Sequence, residues 1–505
     1  MSRLPISRAL ISVSDTTGLV DFAQRLHRAG VEIVSSGGTA ATLSGAGIPV
    51  TAVADVSRAP EMLGGRVKTL HPAIHGGILA DLENAEHLAD LGQRDIEPFG
   101  LVVVNLYPFE AAVAAGASEA EIIDHIDIGG PALIRAAAKN HRWVATVVSP
   151  DRYEKIADAI DQGGTTAALR LSLAREAFFH TAQYDAAIVD WFERGEADRM
   201  VVALSKVADV RYGENPHQPA ALYAGGDAAG WWASAEIVQG KAMSFNNYAD
   251  ADAAWRLVND LPARSVAILK HMNACGAAVG ESMHEAFRKA WACDPLSAFG
   301  GVAALNGELD AETAAEISRY FVEVVVARSI GDDARAALAR KTNLRVLIAP
   351  TPSSHAVSLR TIDDGFLVQE RDSVLGESTN WEQKSRRPTV DEMRNLELAW
   401  VVAAHTKSNA IVVVNDGAAV GVGAGDQSRV GAAERALVKA GERSVGAVAA
   451  SDGFFPFRDG LDVLATAGVT AVVEPGGSIK DDEVIAAAKE HDLAIMFTNR
   501  RHFRH

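Results

Sequence analysis

Short apolar runs separated by glycine-rich turns recur along the chain, and they predict its elements. Ala9-Leu-Ile-Ser-Val-Ser-Asp-Thr-Thr-Gly18 reads as a buried strand ending in hydroxyl-rich residues, with a helix from about Leu19. Val31-Glu-Ile-Val34 is a second strand, running into Ser35-Ser-Gly-Gly-Thr39 and another helix. Leu101-Val-Val-Val104 lacks polar alternation, the mark of a parallel strand buried on both faces, and leads to Asn105 and Tyr107. Asp127-Ile-Gly-Gly-Pro131 begins a helix carrying Arg135, Lys139 and Asn140. Farther on, Val266-Ala-Ile-Leu269 and Ala410-Ile-Val-Val-Val414 are buried strands, and Asn246-Asn247 opens a helix. The first of these strands gives way to Lys270, His271 and Asn273, and Gly276 is expected to end the segment. Strands alternating with helices, and polar groups at strand ends, describe an α/β chain with sites along sheet edges.

Length adds a domain count. At 505 residues, 48% of them apolar, the chain has room for two to four domains with large cores. A polar stretch around Gly195 to Met200 reads as a linker, so domains are expected over 1–198 and 199–505. The formal charge of −17 argues against a general nucleic-acid binder, yet leaves room for a small anionic substrate in a local basic pocket. Cys275 and Cys293 cannot build a disulfide framework, and Cys-x-x-Cys is missing, which suits a reducing cytoplasm. No apolar run approaches the ~20 residues that span a bilayer, and the N-terminus has no signal core. A cytoplasmic protein with no membrane partner is expected.

The candidate chemistry sits at the turns. A Gly-Gly turn opening a helix, as in Ser35–Thr39, points free N–H groups and a positive dipole end at a potential phosphate. It is not the dinucleotide fingerprint, because Gly-x-Gly-x-x-Gly is missing there. Gly64-Gly-Arg-Val-Lys-Thr-Leu-His-Pro72 adds Arg66, Lys68, Thr69 and His71, a loop suited to an anion. At the later strand end, His271 can accept a proton near neutral pH, Lys270 can hold an anion or deliver a proton, and Asn273 can donate and accept. Arg211-Tyr-Gly-Glu-Asn-Pro-His-Gln218 offers an Arg-Tyr pair that could clamp a phosphate. His405-Thr-Lys-Ser-Asn409 before the strand at 410–414, and Gly421-Val-Gly-Ala-Gly-Asp-Gln-Ser-Arg429 after it, echo the Lys-and-Asn cluster beside 266–269, a sign of duplicated units. His-x-Glu with Pro-Cys-x-x-Cys, the zinc deaminase signature, does not occur, so no metal is expected.

Several of these segments together resemble a known family. Ser12-Val-Ser-Asp15, Ser35–Thr39, Gly64–Pro72, Asn105-Leu-Tyr-Pro-Phe109, Asp127-Ile-Gly-Gly130 and His180-Thr-Ala-Gln-Tyr-Asp185 resemble, in order, the cyclohydrolase domain of the AICAR transformylase/IMP cyclohydrolase family. Arg211–Gln218, Ala267–Gly276, Ser297-Ala-Phe-Gly-Gly301, Glu323, Ser451-Asp-Gly-Phe-Phe-Pro-Phe-Arg-Asp459, Glu474-Pro-Gly-Gly-Ser478 and Asn499-Arg-Arg-His-Phe503 resemble its transformylase domain. The resemblance implies a methylglyoxal-synthase-like, Rossmann-type parallel-sheet domain followed by two cytidine-deaminase-like α/β units without zinc. It implies formyl transfer from 10-formyltetrahydrofolate to AICAR, then closure of formyl-AICAR to IMP. For formyl transfer it implies Lys270, His271 and Asn409 as catalytic residues. Substrate would meet Arg211, Tyr212, Asn247, Gly300, Glu323, Arg429, Phe455, Pro456, Phe457 and Arg501. For cyclisation it implies Lys139, Asp127 and Tyr107 as catalytic residues. Binding would fall to Ser14, Ser36, Gly37, Gly38, Thr39, Arg66, Lys68, Thr69, Asn105, Ile128, Gly129 and Gly130. A homodimer is implied, with Lys270 and His271 of one chain facing Asn409 and Arg429 of the other.

The chain departs from the pattern at Thr16, where Lys is frequent, and at Ala274, where Pro is usual. Phe455 and Phe457 are expected in the core. Two other readings stand beside this one: a zinc-free nucleotide hydrolase related to the deaminases, and a nucleotide-sensing regulator.

Overall fold

A five-stranded, wholly parallel sheet organises the first of two units, which extends to Leu204; the second runs from Ser205 to His505. The computed structural model describes residues 3–60, 62–65, 67–193, 198–225, 230–353 and 357–505. In the first sheet the order is Thr51–Ala52, Glu32–Ser35, Arg8–Ser12, Leu101–Val104, Ala145–Val147. The unbroken apolar runs are explained by two cores. Ala9, Ile11 and Val103 pack on one face, and Leu10, Val102 and Val104 on the other, because successive side chains of a strand point to opposite faces. Helix Leu19–Arg28 buries Leu19, Phe22, Ala23 and Leu26, the spacing of one helical face.

The second unit is built on one mixed sheet of twelve strands, and the internal echo proves to be a full duplication. From the centre outward, the first half runs Asn273–Val279, Ser265–Lys270, Val302–Leu305, Val324–Ala327, Arg345–Ile348, Glu236–Gln239. The second half runs Ala418–Gly423, Ile411–Asn415, Val448–Ser451, Ala471–Glu474, Ala494–Phe497, Glu382–Gln383. Each half pairs antiparallel, antiparallel, parallel, parallel, antiparallel in that order. Each has a bulge in its hairpin, between Ile268 and Leu269 or between Val413 and Val414. The halves join at the middle, where Ala278 pairs with Ala418.

The hairpin corrects one expectation. Gly276 does not end the segment; it lies inside the strand Asn273–Val279. A Cβ there would stand 2.0 Å from the Ala290 carbonyl oxygen, so glycine lets helix Met283–Cys293 lie against the sheet. Among the described residues no helix is long and apolar enough to cross a membrane.

Two candidate active sites

In the first unit the polar turns meet at the carboxyl edge of the parallel sheet. Helix Gly37–Gly45 starts directly after strand Glu32–Ser35, with Ser36 as its N-cap. The Ser36 hydroxyl is buried and has no hydrogen-bond partner among the described residues. A Cβ on Gly37 would come within 2.9 Å of Lys68 Nζ, so the ammonium lies directly over the helix start. Asn105 and Thr39 hold the neighbouring loop. Asn105 Oδ1 accepts from the Ser14 and Asp15 N–H groups at 2.6 and 2.9 Å. Thr39 Oγ1 accepts from Val13 N–H and donates to Val13 O, each at 3.0 Å.

Asp127 faces the same edge. Its Oδ1 accepts from Gly130 N–H at 2.8 Å, and its own N–H donates to Tyr184 Oη at 2.8 Å. Burial pushes its carboxyl above the ordinary value, outweighing the Gly130 and Gly129 N–H groups and the Lys68 ammonium, which pull it down. Thr69 is buried, and a Cβ on Gly129 would meet its hydroxyl at 2.9 Å. Tyr107 and Ile128 are exposed. Arg66 lies outside the described residues.

Lys139 does not join this cluster within the chain. It is the last residue of the eleven-residue helix Gly129–Lys139, whose start carries Gly129 and Gly130. Ten steps of ~1.5 Å put it about 15 Å along the axis, beyond the reach of a lysine whose side chain leans back along the helix.

In the second unit, Lys270 ends strand Ser265–Lys270 and its Nζ donates to the Phe299 carbonyl at 2.8 Å. His271 and Met272 form the two-residue turn at φ 54° and 61°. The matching turn of the other half is Asp416-Gly417, a pair suited to positive φ. His-Met is not so suited, and such outliers persist where the surroundings impose them. Asp250 does so here: its Oδ1 accepts from Met272 N–H at 2.7 Å, and burial raises its carboxyl against that bond and the one from His271 N–H. Asn247, at the third position of helix Phe245–Asp260, donates from Nδ2 to Glu323 Oε2 at 2.9 Å. Gly300, at φ 76°, donates to Phe321 O at 2.8 Å, beside the exposed rings of Phe299 and Phe321, whose centroids are 5.0 Å apart. Lys270, His271, Asn247, Gly300 and Glu323 thus share one neighbourhood. The Arg211 guanidinium lies over the Tyr212 ring at 5.4 Å, and Asn246 Nδ2 donates to Glu214 O at 3.5 Å, tying that loop to the same helix start.

The second cluster lies in the other half. Asn273 Oδ1 accepts from Lys407 N–H at 3.0 Å, linking the His271 turn to the segment that ends in Asn409. Buried Arg429 donates to Asn409 Oδ1 at 2.7 Å, Ser451 Oγ at 2.8 Å and Asp452 Oδ1 at 2.5 Å. Phe455 is fully buried, and its N–H donates to Glu474 Oε2 at 2.7 Å. Phe457 is not a core residue: it is 55% exposed, in the bend that follows buried Phe455. Exposed Arg501 stacks on Phe503 at 4.7 Å.

Asp250, Phe299, Phe321, Asp452 and Glu474 carried no role in the sequence reading. Asp250 had a signal, standing one helical turn after Asn247; Glu474 opened a segment of the family pattern, but nothing local foretells its burial. A cavity of about 1060 Å³ lies elsewhere, beside the Asp416-Gly417 turn. Among the described residues no group of three or more His, Cys, Asp or Glu side chains is arranged to hold a metal.

Comparison with known proteins agrees with this layout. A family model described as an MGS-like domain matches residues 18–132, and one described as AICARFT/IMPCHase bienzyme matches residues 137–439. The bifunctional purine biosynthesis protein PurH of Parvibaculum lavamentivorans is 49% identical, covering 99% of this chain and 97% of its own. That of Rhodospirillum rubrum is 50% identical, with 99% of each chain covered. That of Mycobacterium marinum is 50% identical, covering 100% of this chain and 99% of its own. With half its residues shared along its whole length, the chain belongs to the AICAR transformylase/IMP cyclohydrolase bienzyme family.

Proposed function

We propose that the chain carries out two successive reactions, one in each unit: formyl transfer from 10-formyltetrahydrofolate to AICAR, then dehydrative closure of formyl-AICAR to IMP. The observation that carries this is identity of 49% to 50% with bifunctional purine biosynthesis proteins over at least 99% of the chain.

In formyl transfer the exocyclic amine is a poor nucleophile, conjugated with its ring and carboxamide. His271, exposed on its strained turn, takes the amine proton. Lys270 stabilises the tetrahedral oxyanion and protonates the departing folate nitrogen. Asn409 adds a donor: one N–H of its Nδ2 is engaged by Asp426 O at 2.9 Å, which leaves the other for substrate. The exposed Phe299 and Phe321 rings beside Lys270 supply an apolar wall for a planar ligand.

In cyclisation the carboxamide nitrogen attacks the formyl carbon and water leaves. Holding both groups in contact supplies much of the rate. The helix start at Gly37–Thr39, the Ser36 hydroxyl, which has no partner among the described residues, and Lys68 take the phosphate. Asp127, with its raised carboxyl, moves the proton, and Tyr107 supports the developing oxyanion. Neither reaction calls on a metal.

The reading includes a cytoplasmic homodimer. The two-stranded arm Val357–Ile362 and Gly365–Glu370 supports a second copy, because Val357, Phe366, Leu367 and Val368 all stand about half exposed along it. The deciding experiment is incubation with AICAR and 10-formyltetrahydrofolate, with IMP as the product measured. His271→Ala should cut formyl transfer by roughly 10²–10⁴-fold and leave cyclisation of added formyl-AICAR intact. Near-parental formyl transfer at saturating substrate would remove His271 as the base.

A further inference from the structure

His502 is 2% exposed, and both its ring nitrogens face carboxylates. Nδ1 is 2.6 Å from Asp372 Oδ2, and Nε2 is 2.9 Å from Glu377 Oε2. A neutral imidazole has one N–H and one lone pair, and the lone pair would then point at a carboxylate oxygen inside hydrogen-bond distance. Only the doubly protonated ring donates to both. We propose that His502 is an imidazolium latch that seats the C-terminal segment against the formyl-transfer site, a positioning residue for that reaction.

The neighbours explain why the latch matters. The His502 N–H donates to Asp452 O at 3.2 Å, and Arg504 O accepts from Ser408 N–H at 2.9 Å. The segment therefore lies across Asp452, which binds Arg429, and across Ser408, which precedes Asn409. A Cβ on Gly453 would meet the Phe503 ring and Arg429 Nη2, both at 2.6 Å, so ring and guanidinium flank the same glycine. Arg501, next to His502, rests on that ring.

Every charged group near the latch bears on its protonation. Asp372 and Glu377 favour the cation, while Arg500, bound to Glu377 at 2.9 Å, and Arg504, near Asp372, temper them. Trp400 packs edge-on at 5.3 Å and donates from Nε1 to Glu377 Oε2 at 3.1 Å. The two carboxylates raise the imidazolium above its ordinary value despite burial, and His502 in turn holds Asp372 low. The cation, and with it the seat of the segment, is lost as pH rises through that raised value.

This inference rests on the reading that Asn409, Arg429 and Arg501 serve formyl transfer. The test compares the parent with His502→Gln, which keeps one donor and cannot carry the charge. The KM for AICAR should rise about tenfold or more, with kcat little changed and cyclisation untouched. In the parent, KM should climb on the alkaline side, and the variant should lack that limb. Carboxypeptidase should release the C-terminal residues faster from the variant. Nitrogen-15 spectra of the parent at pH 7 should show both ring nitrogens protonated. A neutral ring at pH 7, or an unchanged KM together with unchanged carboxypeptidase release, would overturn the latch. If the parent does not turn over AICAR at all, the reading of function fails instead, and the spectra and carboxypeptidase release still decide the latch.

Discussion

Arg429 donates to Asn409 Oδ1 at 2.7 Å within one chain, and the same guanidinium closes on Asp452 Oδ1 at 2.5 Å. Arg429 is 8% exposed and Asp452 0%, so the contact at the proposed substrate site is a buried ion pair. Arg429→Ala would leave Asp452 charged and unpaired, a loss of about 3–5 kcal/mol. The urea midpoint of the second unit, followed by its tryptophans, should fall, while the first unit keeps its cyclisation. Loss of formyl transfer with an unmoved midpoint would show Arg429 serving substrate alone.

Glu474 should make stability fall as pH rises from about 4.5 to about 8. One oxygen accepts from Phe455 N–H, the other is buried without a partner among the described residues, and burial pushes the carboxyl up to about 8. The folded value lies above the unfolded one, so its contribution is complete below about 4.5 and is lost as pH rises through about 8. The loss is on the order of several kcal/mol. Glu474→Gln should flatten the melting temperature between about pH 5 and 9 and exceed the parent at the alkaline end. A parent whose melting temperature holds steady over that range would contradict a neutral Glu474.

On the proposed homodimer Lys139 serves the Asp127 site from the second copy, because it stands at the far end of the helix that begins beside Asp127. Lys139→Ala and Asp127→Asn chains, each inactive in cyclisation, should recover about a quarter of parental activity when mixed and re-equilibrated, since half the dimers are hybrids with one whole site. Full activity of Lys139→Ala alone would take Lys139 out of the reaction.

Gly276→Ala should destabilise the second unit, because the new methyl meets the Ala290 carbonyl oxygen at 2.0 Å and the helix must move. Overpacking of this kind costs about 1–3 kcal/mol, and the strain falls on the hairpin that carries His271. We expect a lower urea midpoint and weaker formyl transfer with normal cyclisation. A variant matching the parent in both would mean the helix yields freely.

Local chemistry was enough to determine much of this protein. Unbroken runs such as Leu101–Val104 announced strands wetted on neither face, and Ser35–Thr39 announced a helix start open to an anion, because both signals lie within a few consecutive residues. The echo around residues 270 and 409 announced duplication. Tertiary structure decided what depends on direction and distance. It turned His271 and Met272 into a hairpin, because Asp250 arrives from another element to hold Met272 N–H. It sent Lys139 to the wrong end of its helix for Asp127, although the two are close in sequence. It buried Glu474 and set His502 between Asp372 and Glu377, 130 and 125 positions away. A carboxyl's ionisation follows from what packs around it, and those neighbours come from strands and helices far away in the chain.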